Sequence, residues 1–206
     1  MEEENKIEPK KKEKPGFLYE IYSLLHDLVY ILAGITIVFV FVVRLVGVSG
    51  PSMMPTLQDG DYVVLLSNVW IGDLEGGDII VARQESFRDG EPIIKRVIAT
   101  QGQTVDVEYL PSGGAIVKVD GVVLKESSYI NEEMREPTYM QCEFPFTVEE
   151  GCVFVMGDNR NHSADSRYVE IGQIELSQVL GKVLILALPG EGEGSSRDFS
   201  RIGAVS

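Results

Sequence analysis

Cysteine is nearly absent: the chain of 206 residues has two, Cys142 and Cys152. That excludes a disulfide-dense scaffold and a zinc site built mainly on thiolates. Histidine is as scarce, with His26 and His162 alone. Cations are outnumbered too, 18 Lys and Arg against 32 Asp and Glu, for a net charge of −14. A sequence-independent grip on nucleic acid needs clustered positive charge, so no nucleic-acid partner is expected. What is present is 44% hydrophobic and 24% charged residues, the composition of a folded chain. With 21 Gly and 9 Pro, turns are plentiful, which suits a β protein better than a helical bundle.

The apolar residues are unevenly spread. Residues 28 to 43 read LVYILAGITIVFVFVV without a charge, Arg44 interrupts, and apolar character resumes through Val48. At about 1.5 Å per helical residue, residues 28–48 reach roughly 31 Å, close to a bilayer's hydrocarbon thickness. A transmembrane helix over 28–48 is expected, with Arg44 reaching the headgroups near one end. A buried core helix or strand is the alternative. Lys10, Lys11, Lys12 and Lys14 precede the run, and beyond Arg44 the next cation is Arg83. The positive-inside bias therefore places residues 1–27 in the cytoplasm and everything after Val48 on the outer side of the plasma membrane. A cleavable signal peptide is the competing reading, but no Ala-x-Ala site follows, so an uncleaved anchor is favoured.

After the span, short apolar runs alternate with turn signals. Residues 61–66, 78–83, 92–100, 104–110, 115–124, 152–158 and 179–188 all read as strands. Asp120-Gly121 marks a hairpin within one of them. The expected fold is mainly β: an antiparallel-sheet catalytic core over 49–189, preceded by one N-terminal transmembrane helix. The more polar stretch 102–151 is expected to form a small inserted β subdomain, and residues 190–206, rich in Gly, Ser and charge, a flexible tail.

Three clusters could carry chemistry. Gly50-Pro51-Ser52-Met53-Met54-Pro55-Thr56-Leu57 holds Ser52 between two prolines, which restrict the backbone and discourage helix. Such a Ser is an exposed nucleophile or an incidental residue of a linker. A hydroxyl needs a base, and His26 falls beside the span, so a Ser–His–Asp triad would rest on His162. A lysine serves instead where burial strips water from its ammonium. Lys95 and Arg96 sit in the apolar run 92–100, on opposite faces of a strand. Alternation cannot choose between them, but an Arg cannot give up its proton at usable pH, so a base here is Lys95. The third cluster, residues 157–167, is a polar loop following an apolar strand. Its Asp-x-Asn-x-Asn opening lacks the Gly and Glu of a calcium loop, so no metal is expected.

Together, and in this order, the clusters resemble the bacterial type I signal peptidases. The matching pieces are residues 52–57, Gly77-Asp78-Ile79, Ile94-Lys95-Arg96-Val97 and residues 157–167, with the N-terminal anchor agreeing. The resemblance implies a serine endopeptidase with Ser52 as nucleophile and Lys95 as general base. It implies that Ser163 orients the lysine through a hydrogen bond, and that Asp158 with Arg96 and Asp165 with Arg167 form supporting ion pairs. Val48, Met53, Leu57 and Ile94 match positions that line small apolar substrate pockets. Some family members carry a Ser where this chain has Gly50, so here the oxyanion would rest on backbone N–H groups, chiefly that of Ser52.

The implied substrates are secretory preproteins cut after small-x-small sites such as Ala-x-Ala, with the lipid bilayer as the other partner and no cofactor. A Ser–Lys autoprotease of the repressor type is an alternative, and a non-enzymatic membrane-tethered β module another. Cys142 and Cys152 could close a small disulfide loop or remain reduced, and the oligomeric state is not legible.

Overall fold

The computed structural model describes residues 16–84, 87, 90–136, 141–191 and 196–205, in two compact units divided between Val40 and Phe41. Lys10, Lys11, Lys12 and Lys14, on which the expected orientation rests, lie outside the described residues. The first unit carries the helix α1 (Phe17–Phe41), none of whose residues is buried. Its 25 residues span about 37 Å at 1.5 Å each, long and apolar enough to cross a membrane.

The helix starts earlier and stops sooner than the expected 28–48. Residues 43–47, the end of the apolar run, leave the helix for a strand. Composition could not separate the two: the stretch Val-Arg-Leu-Val-Gly is β-branched and apolar enough for either. What decides is a partner strand, since each residue from Val43 to Gly47 pairs across to residues 66 to 62.

The second unit is antiparallel β throughout. Strands β1 (Val43–Gly47), β2 (Tyr62–Ser67), β3 (Ile79–Arg83) and β4 (Pro92–Thr100) begin the main sheet. The chain then leaves for β5 (Thr104–Tyr109), β6 (Ala115–Val119), β7 (Val122–Val123) and β8 (Phe146–Thr147), a separate four-stranded sheet ordered β7-β6-β5-β8. Strands β9 (Cys152–Met156), β10 (Ile174–Glu175), β11 (Val179–Leu188) and β12 (Gly203–Ala204) return to the main sheet. Its order is β1-β2-β11-β3-β4-β9-β10, with β12 on β11. The second sheet falls within the stretch expected as an insert, and its β6–β7 turn is Asp120-Gly121, both at positive φ as a two-residue hairpin requires.

The core lies on both faces of the main sheet. Val97, Val153, Val155, Ile174 and Val179 form one buried cluster, and Val48, Met53, Leu57, Val63 and Val183 another. Strand β4 is buried along nearly its whole length, because β3 and β9 flank it and side chains cover both faces. A lysine placed there is carried into the interior by the strand itself.

Described residues within the tail are tied to the main sheet. β12 pairs with Ile185 and Leu186 of β11, along the edge left open where β3 ends. The polar composition of residues 190–206 concealed a segment held by sheet bonds and an ion pair.

Candidate active site

Ser52 stands in a loop closed at its base. The Val48 N–H donates to the Asp61 carbonyl at 2.7 Å, and the Gly60 N–H returns to the Val48 carbonyl at 3.0 Å. Gly50 takes φ +85, a conformation that favours glycine, and its N–H donates to Asp59 Oδ1 at 2.8 Å. Within the loop the Met54 N–H bonds the Pro51 carbonyl and the Leu57 N–H the Met53 carbonyl. The prolines and these turns hold the serine at the head of the loop.

Lys95, 4% exposed, reaches Ser52 from β4: Nζ donates to Ser52 Oγ at 2.9 Å and to the Ile94 carbonyl at 2.9 Å. Residues far apart in sequence thus meet at hydrogen-bond distance. The His162 side chain makes no hydrogen bond among the described residues, so nothing in the geometry assembles a histidine triad.

The polar loop after β9 closes the other side. The Asn159 N–H donates to the Ser52 carbonyl at 3.0 Å, and its Nδ2 to the Pro51 carbonyl at 3.1 Å. Gly157 sits where no side chain fits, since a Cβ there would lie 2.5 Å from the Ser52 carbonyl oxygen and 2.2 Å from Ser163 Oγ. Ser163 is therefore beside the serine, but its buried hydroxyl has no hydrogen-bond partner, so the expected bond to Lys95 is not made.

Three arginine–carboxylate pairs, two of them wholly buried and the third partly so, fix this loop. Arg96 grips Asp158 through Nε and Nη2 at 2.8 and 2.7 Å, and the Thr56 hydroxyl of the serine loop donates to the same carboxylate. Arg167 grips Asp165 at 2.8 and 2.9 Å, while the Gly157 N–H donates to Asp165 Oδ2. Burial works to raise the Asp165 pKa, but the Arg167 guanidinium and the Gly157 N–H outweigh it, leaving the carboxyl below its ordinary range.

The third pair was not anticipated from sequence. Arg160 binds Glu126 through Nη1 and Nη2 at 2.9 and 2.6 Å, and its Nε donates to the Gly157 carbonyl at 3.0 Å. Tyr129 donates to Glu126 and lies under the Arg96 guanidinium, 4.2 Å from the ring centre. Burial, and then the Glu126 charge, push the Tyr129 phenol up, so it stays protonated as a donor. Glu126 and Tyr129 come from the insert, and only a long-range contact could reveal them.

Beside Ser52 a cleft of about 100 Å³ is lined by Val46, Val48, Met53, Val81, Ile93 and Ile94, among others. Of the expected lining residues, Val48, Met53 and Ile94 are there. Leu57 is not: fully buried, it belongs to the core beneath the loop. Cys142 and Cys152 are both free thiols, and burial pushes the Cys142 pKa up to about 11.

Residues 21–188 match the family described as signal peptidase, peptidase S26. The chain belongs to that family. Among S26 relatives, a probable signal peptidase I-1 of Synechocystis is 33% identical over 162 residues, covering 74% of this chain and 75% of that protein. Signal peptidase I U of Bacillus subtilis is 34% identical over 134 residues, 62% of this chain and 70% of its own. A solved signal peptidase I of Enterococcus faecalis, 29% identical with a TM-score of 0.41, covers 54% of this chain and 97% of that one. The S26 match takes in α1 from Ile21 and every strand from β1 to β11, so Ser52, Lys95 and the loop 157–167 all fall inside it.

Proposed function

We propose that the chain is a membrane-anchored serine endopeptidase that removes signal peptides from secretory preproteins, with Ser52 as nucleophile and Lys95 as general base. The observation that carries the reading is the 2.9 Å contact between Lys95 Nζ and Ser52 Oγ in a buried setting. Burial disfavours the ammonium form, and a neutral amine at this distance can take the hydroxyl proton. Ser52 Oγ attacks the scissile carbonyl, and Lys95 hands the proton to the leaving amine. The mature protein departs, and Lys95 then activates water to release the acyl group.

The oxyanion would rest on the Ser52 N–H, which among the described residues donates to no acceptor, while Gly50 keeps Cβ atoms clear of the approach. Strand β1 is an edge of the main sheet and runs past the cleft, so an extended peptide can add to it and present alternate side chains inward. A cleft this small, walled by the side chains of Val46, Val48, Met53, Val81 and Ile94, suits the Ala-x-Ala type of site and refuses bulky residues. Asp158 with Arg96, and Asp165 with Arg167, hold the loop that cradles Ser52, with Ser163 beside the dyad. Helix α1 anchors the enzyme, with the preceding residues cytoplasmic and the β unit outside, which raises the effective concentration of exported substrate.

The test is incubation of the purified chain with a labelled preprotein and sequencing of the new N-terminus. A single cut after a small-x-small site is expected, at a rate that rises with pH as Lys95 loses its proton. Lys95→Arg keeps the charge and removes the base, and turnover should fall by a factor on the order of 10²–10⁴. Cleavage by that variant at near the unaltered rate would sink the assignment.

A further inference from the structure

The C-terminal segment, expected to be loose, ends in a grip on the loop that bears Ser52. Arg201 donates through Nη1 to Asp61 Oδ1 at 3.0 Å and through Nη2 to Oδ2 at 2.7 Å. Asp61 is fully buried, and its carboxylate also accepts the Gly190 N–H and the Gln58 N–H, each at 2.7 Å. One side chain thus joins the serine loop, the end of β11 and the tail. The same residue's carbonyl closes the base of the loop by accepting the Val48 N–H.

Other contacts run the same way. Val205 packs against the cluster containing Val48, Met53 and Leu57. Arg201, Ala204 and Val205 wall a cavity with Pro55 and Thr56 of the loop. The Gly190 crossing is tight: a Cβ there would lie 2.4 Å from the Asp59 carbonyl. Asp198 accepts the Ser200 N–H and so caps the short turn, Phe199–Arg201, that delivers the arginine.

We propose that residues 196–205 form a strap that positions the Ser52 loop, with Arg201 and Asp61 as its positioning residues. Exposed ion pairs do little, but this one is bidentate and its carboxylate is wholly out of water. Removing Arg201 leaves the Asp61 charge buried with only backbone donors, which loosens the base of the loop. Arg201 touches no reacting atom. Its effect is on how long Ser52 Oγ stays within reach of Lys95, and so on kcat rather than on substrate affinity. The functional half of the inference rests on the peptidase reading, whereas the structural half does not.

Two measurements on the full chain in detergent separate them. Hydrogen exchange by mass spectrometry reads peptides covering 48–61 and, as an internal reference, 152–156 of β9. For Arg201→Ala, exchange over 48–61 should quicken by about tenfold or more, with 152–156 unchanged. With a preprotein substrate, kcat should fall at least about tenfold while KM stays within about twofold. Arg201→Lys, which restores the charge with a single contact, should recover part of both. Unchanged exchange over 48–61, a rise shared equally by both stretches, or an unaltered kcat overturns the proposal. If the unaltered chain cleaves nothing while exchange responds as described, the peptidase reading falls and the strap stands.

Discussion

Replacing Gly157 with alanine tests how closely the serine loop is held. Its N–H is committed to Asp165 at 2.9 Å and its carbonyl to Arg160 at 3.0 Å, so the backbone cannot retreat. A methyl group there would stand 2.5 Å from the Ser52 carbonyl oxygen, where ordinary contact begins near 3.4 Å. Ser163 is struck as well, at Oγ (2.2 Å) and at Cβ (2.5 Å), and a change of rotamer moves only the hydroxyl away. The Ser52 carbonyl, bonded to the Asn159 N–H, has no rotamer to change. The serine backbone must therefore shift by about 0.9 Å, which breaks the 2.9 Å contact with Lys95. A displacement of that size costs about 100-fold in rate, or about 2.7 kcal/mol of barrier. Overpacking costs about 1–3 kcal/mol of stability, a fall in Tm of roughly 2–12 °C for a chain of this size. The assay is kcat on a preprotein beside thermal melting in the same detergent: a folded, nearly inactive variant is expected. Adding Ser163→Gly relieves one clash and leaves the carbonyl, so the double variant should stay slow. Gly157→Ala working within about threefold of the unaltered enzyme, or recovery in the double variant, would refute the reasoning.

Glu126→Gln removes the anion from a pair whose Arg160 side chain is 1% exposed, so the domain should lose about 3–5 kcal/mol, read by denaturant unfolding. An unchanged midpoint would mean that the insert does not brace the loop. Asp165 has a lowered pKa, so its stabilisation is complete above the unfolded value of about 3.9 and fades as pH falls through the folded one. The Tm gap between the unaltered chain and Asp165→Asn should be wide at pH 7 and narrow steadily on acidification below about pH 4. A gap independent of pH would refute this assignment.

Much of the architecture was legible because strands announce themselves locally. The runs 92–100 and 179–188 coincide with β4 and β11, and the others differ by a residue or two at their ends. Strand β1 was hidden because the apolar run of α1 continues into it with Arg44 as the single interruption, and only its pairing with β2 distinguishes them. The two-residue strands β8, β10 and β12 are too short for any alternation to register. At the site, Ser52 and Lys95 lay in recognisable settings, and their meeting was expected from resemblance rather than spacing. Glu126, Tyr129 and Arg201 could not be found that way. An arginine takes its meaning from a partner brought close by the fold, and no periodicity in the chain records who that partner is.

The placing of β11 bears on when such an enzyme can start to work. It lies between β2, which follows the serine loop, and β3, which carries β4 and the lysine. During synthesis, Ser52 and Lys95 emerge long before Val179–Leu188, the strand that joins their two halves of the sheet. A nascent chain lacking that strand can link the Ser52 loop to β4 through Asp158, which binds Thr56 and Arg96, but the two halves of the main sheet stay unjoined until the last long strand arrives.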